Sequence, residues 1–312
     1  MSRPPRLDAR LLAAVAAMLV MWASAFAAIR TALGTFPPGE LALLRFLVAS
    51  GTLAALAAGR RSPAPRREDL PAIAVLGFLA ITVYHLGLNY GERTVTAGAA
   101  SLLIASAPAF TALLARLVLR EELGRWGWLG IALGFAGVAL ISLGEGEAFR
   151  LEPGALLILL SALSASAYSV LQKKFIVRYP PLAFTTYVVW AGTIPLLVFL
   201  PGLLATLRTA PAGAVLAVVY LGAFPGGLAY VLWVYGLTRL PASRLSSFLY
   251  LSPVLAIGIA WVWLGEIPGW LSLLGGAVAV GGVALANRRQ PRSVGTERPS
   301  RPTTGVAARR AE

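Results

Sequence analysis

The chain has 312 residues, of which 58% are hydrophobic and 13% charged, with no cysteine, one histidine and a formal net charge of +14. Soluble domains carry roughly 25% charged residues, so this composition indicates a membrane protein. Without cysteine there are no disulfides or thiolate metal sites, and a single histidine cannot build a histidine-rich one. The basic residues lie in short loops and in the carboxy-terminal tail, so no nucleic-acid partner is expected.

Ten apolar segments approach the ~20 residues that a helix needs to cross a bilayer. They cover residues 11–33, 38–58, 70–90, 96–117, 126–143, 154–175, 182–203, 212–237, 243–264 and 268–286. The first could be misread as a secretory signal, because Ala23-Ser24-Ala25 resembles a cleavage site. Its apolar run continues to Leu33, however, so it is retained as the first span.

The sequence repeats itself at an offset of 145 residues. Among the recurring positions, Gly77, Tyr90, Pro108 and Glu121 return as Gly222, Tyr235, Pro253 and Glu266. A shared apolar bias would match Leu and Ala but not Pro, Tyr and Glu, so the chain is two copies of one unit. Each copy holds an odd number of spans, which inverts the second relative to the first, an arrangement known from transporters.

The distribution of Lys and Arg predicts the orientation of these spans. Basic residues are more frequent in the loops on the side of the amino terminus, which places both termini in the cytoplasm of a cell whose membrane the protein crosses many times. The predicted parts are a cytoplasmic amino terminus, a first five-helix repeat, an external connector, an inverted second repeat and a disordered tail: residues 1–10, 11–143, 144–153, 154–286 and 287–312.

Two ionisable residues lie well inside spans, where such groups are costly and indicate function by default. His85 lies in the third span beside Tyr84, and we expect it to line a transport pathway. Arg45 lies in the second span. For Arg45 a functional role stays open beside two structural ones, namely snorkelling to the interface and an ion pair with Glu40.

Aromatic and hydroxyl side chains recur at depths where lipid-facing helices usually carry Leu or Val, and they suit a small-molecule cavity. The candidate substrate-binding residues are Trp22, Ser24, Arg45, Tyr84, His85, Ser106, Tyr168, Trp190, Trp233, Tyr250 and Ser252. Pro108, Pro225 and Pro253 are candidate hinges, because a proline inside a helix removes a hydrogen bond and permits a bend. They also suit a static fold. The glycine pairs Gly130/Gly134 and Gly222/Gly226 are interpreted as helix-packing positions.

The sequence lacks a phosphate-binding Gly-Lys loop, paired carboxylates inside the spans and a Ser, His and Asp set at plausible depth. We therefore expect no catalytic residue, metal or cofactor, and no enzyme activity.

Several motifs together resemble the drug/metabolite transporter superfamily, and in particular its ten-helix EamA-type members. They are Trp22-x-Ser24-x-Phe26, Pro38 with Leu44-Arg45-Phe46, and Pro108 followed thirteen residues later by Glu121, a spacing repeated by Pro253 and Glu266. The resemblance covers residues 11–286 and is strongest to bacterial amino-acid exporters, including the aromatic type. It implies an all-α membrane fold with helices one to four and six to nine around a central cavity, and helices five and ten outside as scaffold.

The expected function is export of neutral or aromatic amino acids by alternating access of the two halves. The expected partners are membrane lipids and the small-molecule substrate, with the monomer as the functional unit. Efflux of toxic or multidrug compounds is the alternative, and a non-transporting scaffold is a weaker one. Proton coupling and facilitated diffusion both stay open. Because His85 aligns with Tyr230, Arg45 with Trp190 and Tyr84 with Ala229, we expect the binding site where the two copies differ.

Overall fold

The computed structural model describes residues 8–58, 63–95, 100, 103–121, 123–144, 153–252, 254–255 and 269–286. All regular secondary structure within these ranges is helical. The candidate hinge Pro253, the repeat partner Glu266 and the predicted tail at 287–312 lie outside the described residues, as does nearly all of the predicted connector.

Most of the helices follow the predicted spans closely. The helices are α1 Ala9–Leu33, α2 Pro38–Ala57, α3 Arg67–Gly91, α4 Ala107–Leu119, α5 Arg125–Gly144, α6 Pro153–Lys174, α7 Pro181–Leu207, α8 Ala212–Leu237, α9 Ala242–Ser247 and α10 Trp270–Ala286. Within the described residues, α4 and α9 cover only part of the predicted fourth and ninth spans. Six of them, α1 to α3 and α6 to α8, are long and apolar enough to cross a membrane. The all-helical membrane class is thus confirmed, while the ten-span inverted arrangement stays a prediction.

Short sequence signals fix where several helices begin. Pro38 and Pro181 occupy the first turns of α2 and α7, where the missing N–H costs nothing and the fixed φ suits a helix. The Asp8 side chain caps α1 by accepting a hydrogen bond from the Leu11 amide at 2.7 Å. These caps set the helix ends from which the depth of each side chain is counted.

Two helices carry a π-helical segment in their middle. It covers Phe78–Val83 in α3 and Gly222–Leu228 in α8, so the two segments end 145 residues apart, in the register of the sequence repeat. Pro225 lies inside the second segment, where its missing N–H breaks the regular hydrogen-bond pattern. Such segments are frequent at functional sites, because they rotate the residues that follow.

The most extensive helix contacts join the first half of the chain to the second. They pair α1 with α8, α2 with α7 and α8, α3 with α6 and α7, α4 with α6 and α9, and α5 with α10. In the α5/α10 pair a side chain on Gly130 or Gly282 would collide with the facing backbone, so these glycines permit the close approach that provides packing energy in lipid. The core therefore forms between the halves, and a cavity lies within it.

Candidate functional site

The cavity between the two halves has a volume of about 120 Å³. Its wall combines apolar residues such as Ile29 and Leu88 with several polar and aromatic ones. The candidate residues that the structure brings together on this wall are Trp22, Arg45, Tyr84, His85, Tyr168, Trp233 and Ser252. They come from α1, α2, α3, α6, α8 and the segment after α9, so both halves contribute to one cavity.

His85 and its repeat partner Tyr230 meet at this cavity. The His85 Nε2 and Tyr230 Oη atoms are 3.2 Å apart, and Tyr230 Oη also donates to the Ala80 carbonyl at 3.3 Å. The direction of the His85–Tyr230 hydrogen bond depends on the histidine tautomer; when Tyr230 gives its one proton to Ala80, the neutral histidine carries its own proton on Nε2. Nδ1 is then a bare acceptor, and it has no hydrogen-bond partner among the described residues.

An aromatic cluster forms another part of the wall. The Trp22 ring lies 5.8 Å from Tyr230 edge-on and 5.5 Å from Trp233, and Tyr168 lies 6.4 Å from Tyr230, measured between ring centroids. The Trp22 Nε1–H donates to the Pro225 carbonyl at 3.1 Å, which anchors the indole to the π-helical segment of α8. The cluster offers ring faces and edges on which an apolar or aromatic solute can pack.

Arg45 reaches the cavity from α2 with only 3% of its surface exposed. Its guanidinium carbon lies 5.5 Å from the Phe46 ring centroid. Glu40 accepts a hydrogen bond from Thr206 Oγ1 at 2.6 Å, and the described residues contain no Arg45–Glu40 ion pair. The enclosure by protein also differs from the extended, surface-directed geometry of a snorkelling arginine.

Four candidate residues lie outside the cavity wall. Ser24 Oγ is 2.6 Å from Tyr220 Oη, and Ser106 Oγ donates to the Leu103 carbonyl at 2.6 Å. Trp190 is 45% exposed and donates to the Ser50 carbonyl. The fully buried Tyr250 packs its ring on Gly134 of α5. Each side chain therefore contacts helix neighbours in this conformation.

The candidate hinges differ in their surroundings. Pro108 is buried in the first turn of the α-helical part of α4, where it breaks no internal hydrogen bond. Pro225 is buried inside the π-helical segment of α8, directly beside the aromatic cluster. A change in the bend of α8 would thus move part of the cavity wall.

Sequence reasoning omitted Tyr230 from the candidate substrate-binding residues, although it makes the central contact with His85. The signal was present in the repeat, since Tyr230 is the residue aligned with His85. Ser169 also lines the cavity without being one of the candidate residues, and its hydroxyl donates a hydrogen bond to the Ala165 carbonyl at 2.7 Å.

Two polar clusters tie the halves together away from the cavity. Glu121, after α4, accepts hydrogen bonds from the Ala242 and Ser243 amides and the Ser243 hydroxyl at 3.0, 3.3 and 2.8 Å, and lies 3.4 Å from Lys173 Nζ. It thus caps the amino-terminal end of α9.

In the second cluster, Asp69 accepts from Arg178 Nη1 and Tyr179 Oη, both at 2.6 Å. Burial and the hydrogen bond to Asp69 raise the pKa of the Tyr179 phenol, so the phenol stays a proton donor at neutral pH. The first turn of α3 and the loop that precedes α7 are thereby joined.

A helical membrane bundle whose halves line a small, partly polar cavity has the organisation of a membrane transporter. The model of the EamA-like transporter family matches residues 10–143 and again residues 152–288. The chain therefore belongs to this family. The earlier resemblance is confirmed, and the family indicates a transporter of small molecules rather than an enzyme.

Relatives across bacteria agree with this family. The chain is 45% identical to "Uncharacterized transporter YdfC" of Bacillus subtilis (strain 168), covering 86% of this chain and 88% of that one. It is 41% identical to a "Probable terminal-alkyne amino-acid exporter" of Streptantibioticus cattleyicolor, with 87% and 91% covered. YedA of Escherichia coli (strain K12), named an inner membrane transporter, is 28% identical over 84% of this chain and 87% of its own.

A solved crystal structure superposes with a TM-score of 0.75 at 23% identity, covering 90% of this chain and 99% of the other. At that identity the match shows a shared fold alone.

Proposed function

We propose that the protein exports small metabolites across the bacterial inner membrane, namely amino acids, with neutral and aromatic ones preferred. The observation that carries this proposal is the cavity that both halves of the chain line with aromatic rings and a few polar groups. Ring faces suit an apolar or aromatic side chain, and the polar groups suit its charged end. The named amino-acid exporter at 41% identity supports the same substrate class, and YedA supports the location.

The helix contacts support two inverted five-helix halves that alternate around this cavity. Each helix has a counterpart in the other half, five helices away along the chain. When every helix is replaced by its counterpart, the α1/α8 contact becomes the α6/α3 contact, and the α2/α8 contact becomes the α7/α3 contact. The pairs α2/α7, α4/α9 and α5/α10 map onto themselves. A bundle with twofold pseudo-symmetry has this pattern, and an odd number of spans per half makes the symmetry an inverting one. Bending at the two π-helical segments and at Pro225 would open the cavity to one side at a time.

The size of the cavity favours amino acids over multidrug substrates. Pockets for drug-sized ligands measure roughly 300–1,000 Å³, whereas this one measures about 120 Å³. Its wall also presents a cation, Arg45, and no Asp or Glu among the described residues, which disfavours cationic drugs. The flux experiment described next therefore also measures the export of a lipophilic cation.

The test is flux from proteoliposomes loaded with radiolabelled amino acids, with ethidium as the cationic-drug arm. We expect saturable flux of phenylalanine and leucine, and at least a tenfold loss in His85→Ala, because that change removes the contact with Tyr230. Tyr90→Ala is the matched control, since Tyr90 lies on the same helix with 40% of its surface exposed. Flux of ethidium without flux of any amino acid would refute the proposal.

A further inference from the structure

Arg45 is a buried cation that forms no ion pair within 4.0 Å in the described part of the protein, and the Glu92 carboxylate acts on it only from farther away. Its side chain forms none of the hydrogen bonds or ion pairs found there, and its buried Nε has no acceptor. No carboxylate oxygen of the described residues lies within 4.0 Å of the guanidinium. A desolvated arginine is costly inside a membrane protein unless an anion or carbonyl groups pair with it.

The fold places this cation on the wall of the cavity rather than in a sealed core. Arg45 lies there with Tyr84 and with His85, whose Nδ1 has no hydrogen-bond partner in the described residues. Gly226 of the α8 π-helical segment packs beside the guanidinium, where a Cβ would lie 3.5 Å from Arg45 Nε, an ordinary van der Waals contact. The donors of the guanidinium are thus available to a solute in the cavity.

We propose that Arg45 binds the carboxylate of the transported solute, and that a single carboxylate is therefore required for recognition. The planar guanidinium can hold both oxygens of a carboxylate in parallel hydrogen bonds. Arg45 is the one Lys or Arg on the part of the wall that the structure describes, which matches one negative charge rather than a dianionic phosphate. In the tautomer protonated on Nε2, the Nδ1 of His85 is an acceptor suited to an ammonium group of the same solute. This inference rests on the proposed function and names the group that the site recognises.

A ligand series on the wild-type protein tests the requirement without any substitution. The probes are L-phenylalanine, L-phenylalaninamide, phenethylamine and 3-phenylpropionate, each measured as a competitor of labelled L-phenylalanine flux and as a stabiliser of the purified protein against heat. We expect the amide and the amine to act about 10- to 100-fold more weakly than phenylalanine, the cost of losing a charge-assisted hydrogen bond. Phenylpropionate should remain a competitor.

Substitution of Arg45 then assigns the preference to this side chain. Arg45→Gln should abolish the preference for phenylalanine over its amide, and Arg45→Lys should keep part of it, because lysine supplies charge without the planar fork. Arg116→Gln is the matched control, since Arg116 is exposed and lies outside the cavity wall. The result for Arg45→Gln is used only if the purified variant elutes as a single species. If it does not, the ligand series on the wild-type protein decides whether a carboxylate is required.

The two proposals fail in different ways. Absence of flux for every amino acid refutes the proposed export, whereas the carboxylate inference is then judged by heat stabilisation alone. The inference is overturned if phenylalaninamide stabilises or competes as well as phenylalanine, if none of the four probes binds, or if Arg45→Gln retains the wild-type preference.

Discussion

Glu121 offers the sharpest test of how the two halves are held together. Its carboxylate accepts three hydrogen bonds from the start of α9 and pairs with Lys173 at the end of α6. The Glu121→Gln substitution keeps the shape of the side chain but removes its charge and one acceptor oxygen. The amide groups at the start of α9 then lose a charged cap, and Lys173 loses its counter-ion.

The structure allows an estimate of the cost. The Glu121 and Lys173 side chains are only 16% and 20% exposed, so solvent screens their interaction weakly. Hydrogen bonds to a charged group contribute about 1.5–3 kcal/mol each and are not additive, which gives a loss of about 2–4 kcal/mol for the substitution. At roughly 2 °C per kcal/mol for a chain of this size, the unfolding midpoint should fall by about 4–8 °C.

Thermal unfolding of the purified protein, followed by tryptophan fluorescence, measures this shift. The control is Glu68→Gln, because Glu68 forms a surface pair with Arg66 in which the side chains are 67% and 65% exposed. Such pairs contribute about 0–1 kcal/mol, so the control should fall by less than about 2 °C. Equal shifts for the two variants would refute the reasoning, since they would make the Glu121 cluster no stronger than an exposed pair.

Two further predictions concern packing and topology. Gly282→Ala should lower the unfolding midpoint, because the added Cβ meets the backbone of Gly130 and Gly134. The neighbouring Gly281 faces open space, so Gly281→Ala should leave the midpoint unchanged or raise it through helix propensity. Equal responses of the two variants would contradict the close α5/α10 contact. Because the chain has no cysteine, single-cysteine variants report topology directly. In intact cells a membrane-impermeant maleimide should label Thr209→Cys, and it should label Glu68→Cys only after permeabilisation. The reverse labelling pattern would show that the predicted orientation is inverted.

Hydropathy sufficed to predict most helix positions, because the need to cover a bilayer thickness acts on every span in the same way. The third predicted span, 70–90, corresponds to Arg67–Gly91, and the seventh, 182–203, to Pro181–Leu207. The π-helical segments could not be predicted to the same degree. Pro225 marks one of them, but Phe78–Val83 contains neither proline nor glycine, so its irregular hydrogen bonds follow from packing rather than from local sequence.

The side on which a residue faces was harder to predict than its depth. Trp190 and Trp233 both lie within apolar spans, yet Trp190 is 45% exposed and Trp233 is 3% exposed at the cavity. In a helix of a soluble protein, the polar face identifies the side that is exposed. In a membrane-spanning helix the lipid-facing and protein-facing sides are both apolar, so the sequence lacks the helical periodicity that would distinguish an exposed Trp from a buried one. His85 and Arg45 escape this ambiguity, because ionisable groups are too costly to face lipid.

The contact between His85 and Tyr230 has a consequence for how a solute is held. These residues are repeat partners, so under the proposed inverted arrangement the pseudo-symmetry axis passes between them and through the cavity. A fully symmetric wall would accept either end of a solute on either side of that axis. Here Arg45 lies on the wall while its repeat partner Trp190 lies at the surface, so the cation has no counterpart across the axis. Under the proposed Arg45–carboxylate contact, a solute with one carboxylate is held in a single orientation, and we expect that orientation to persist while the halves alternate around it.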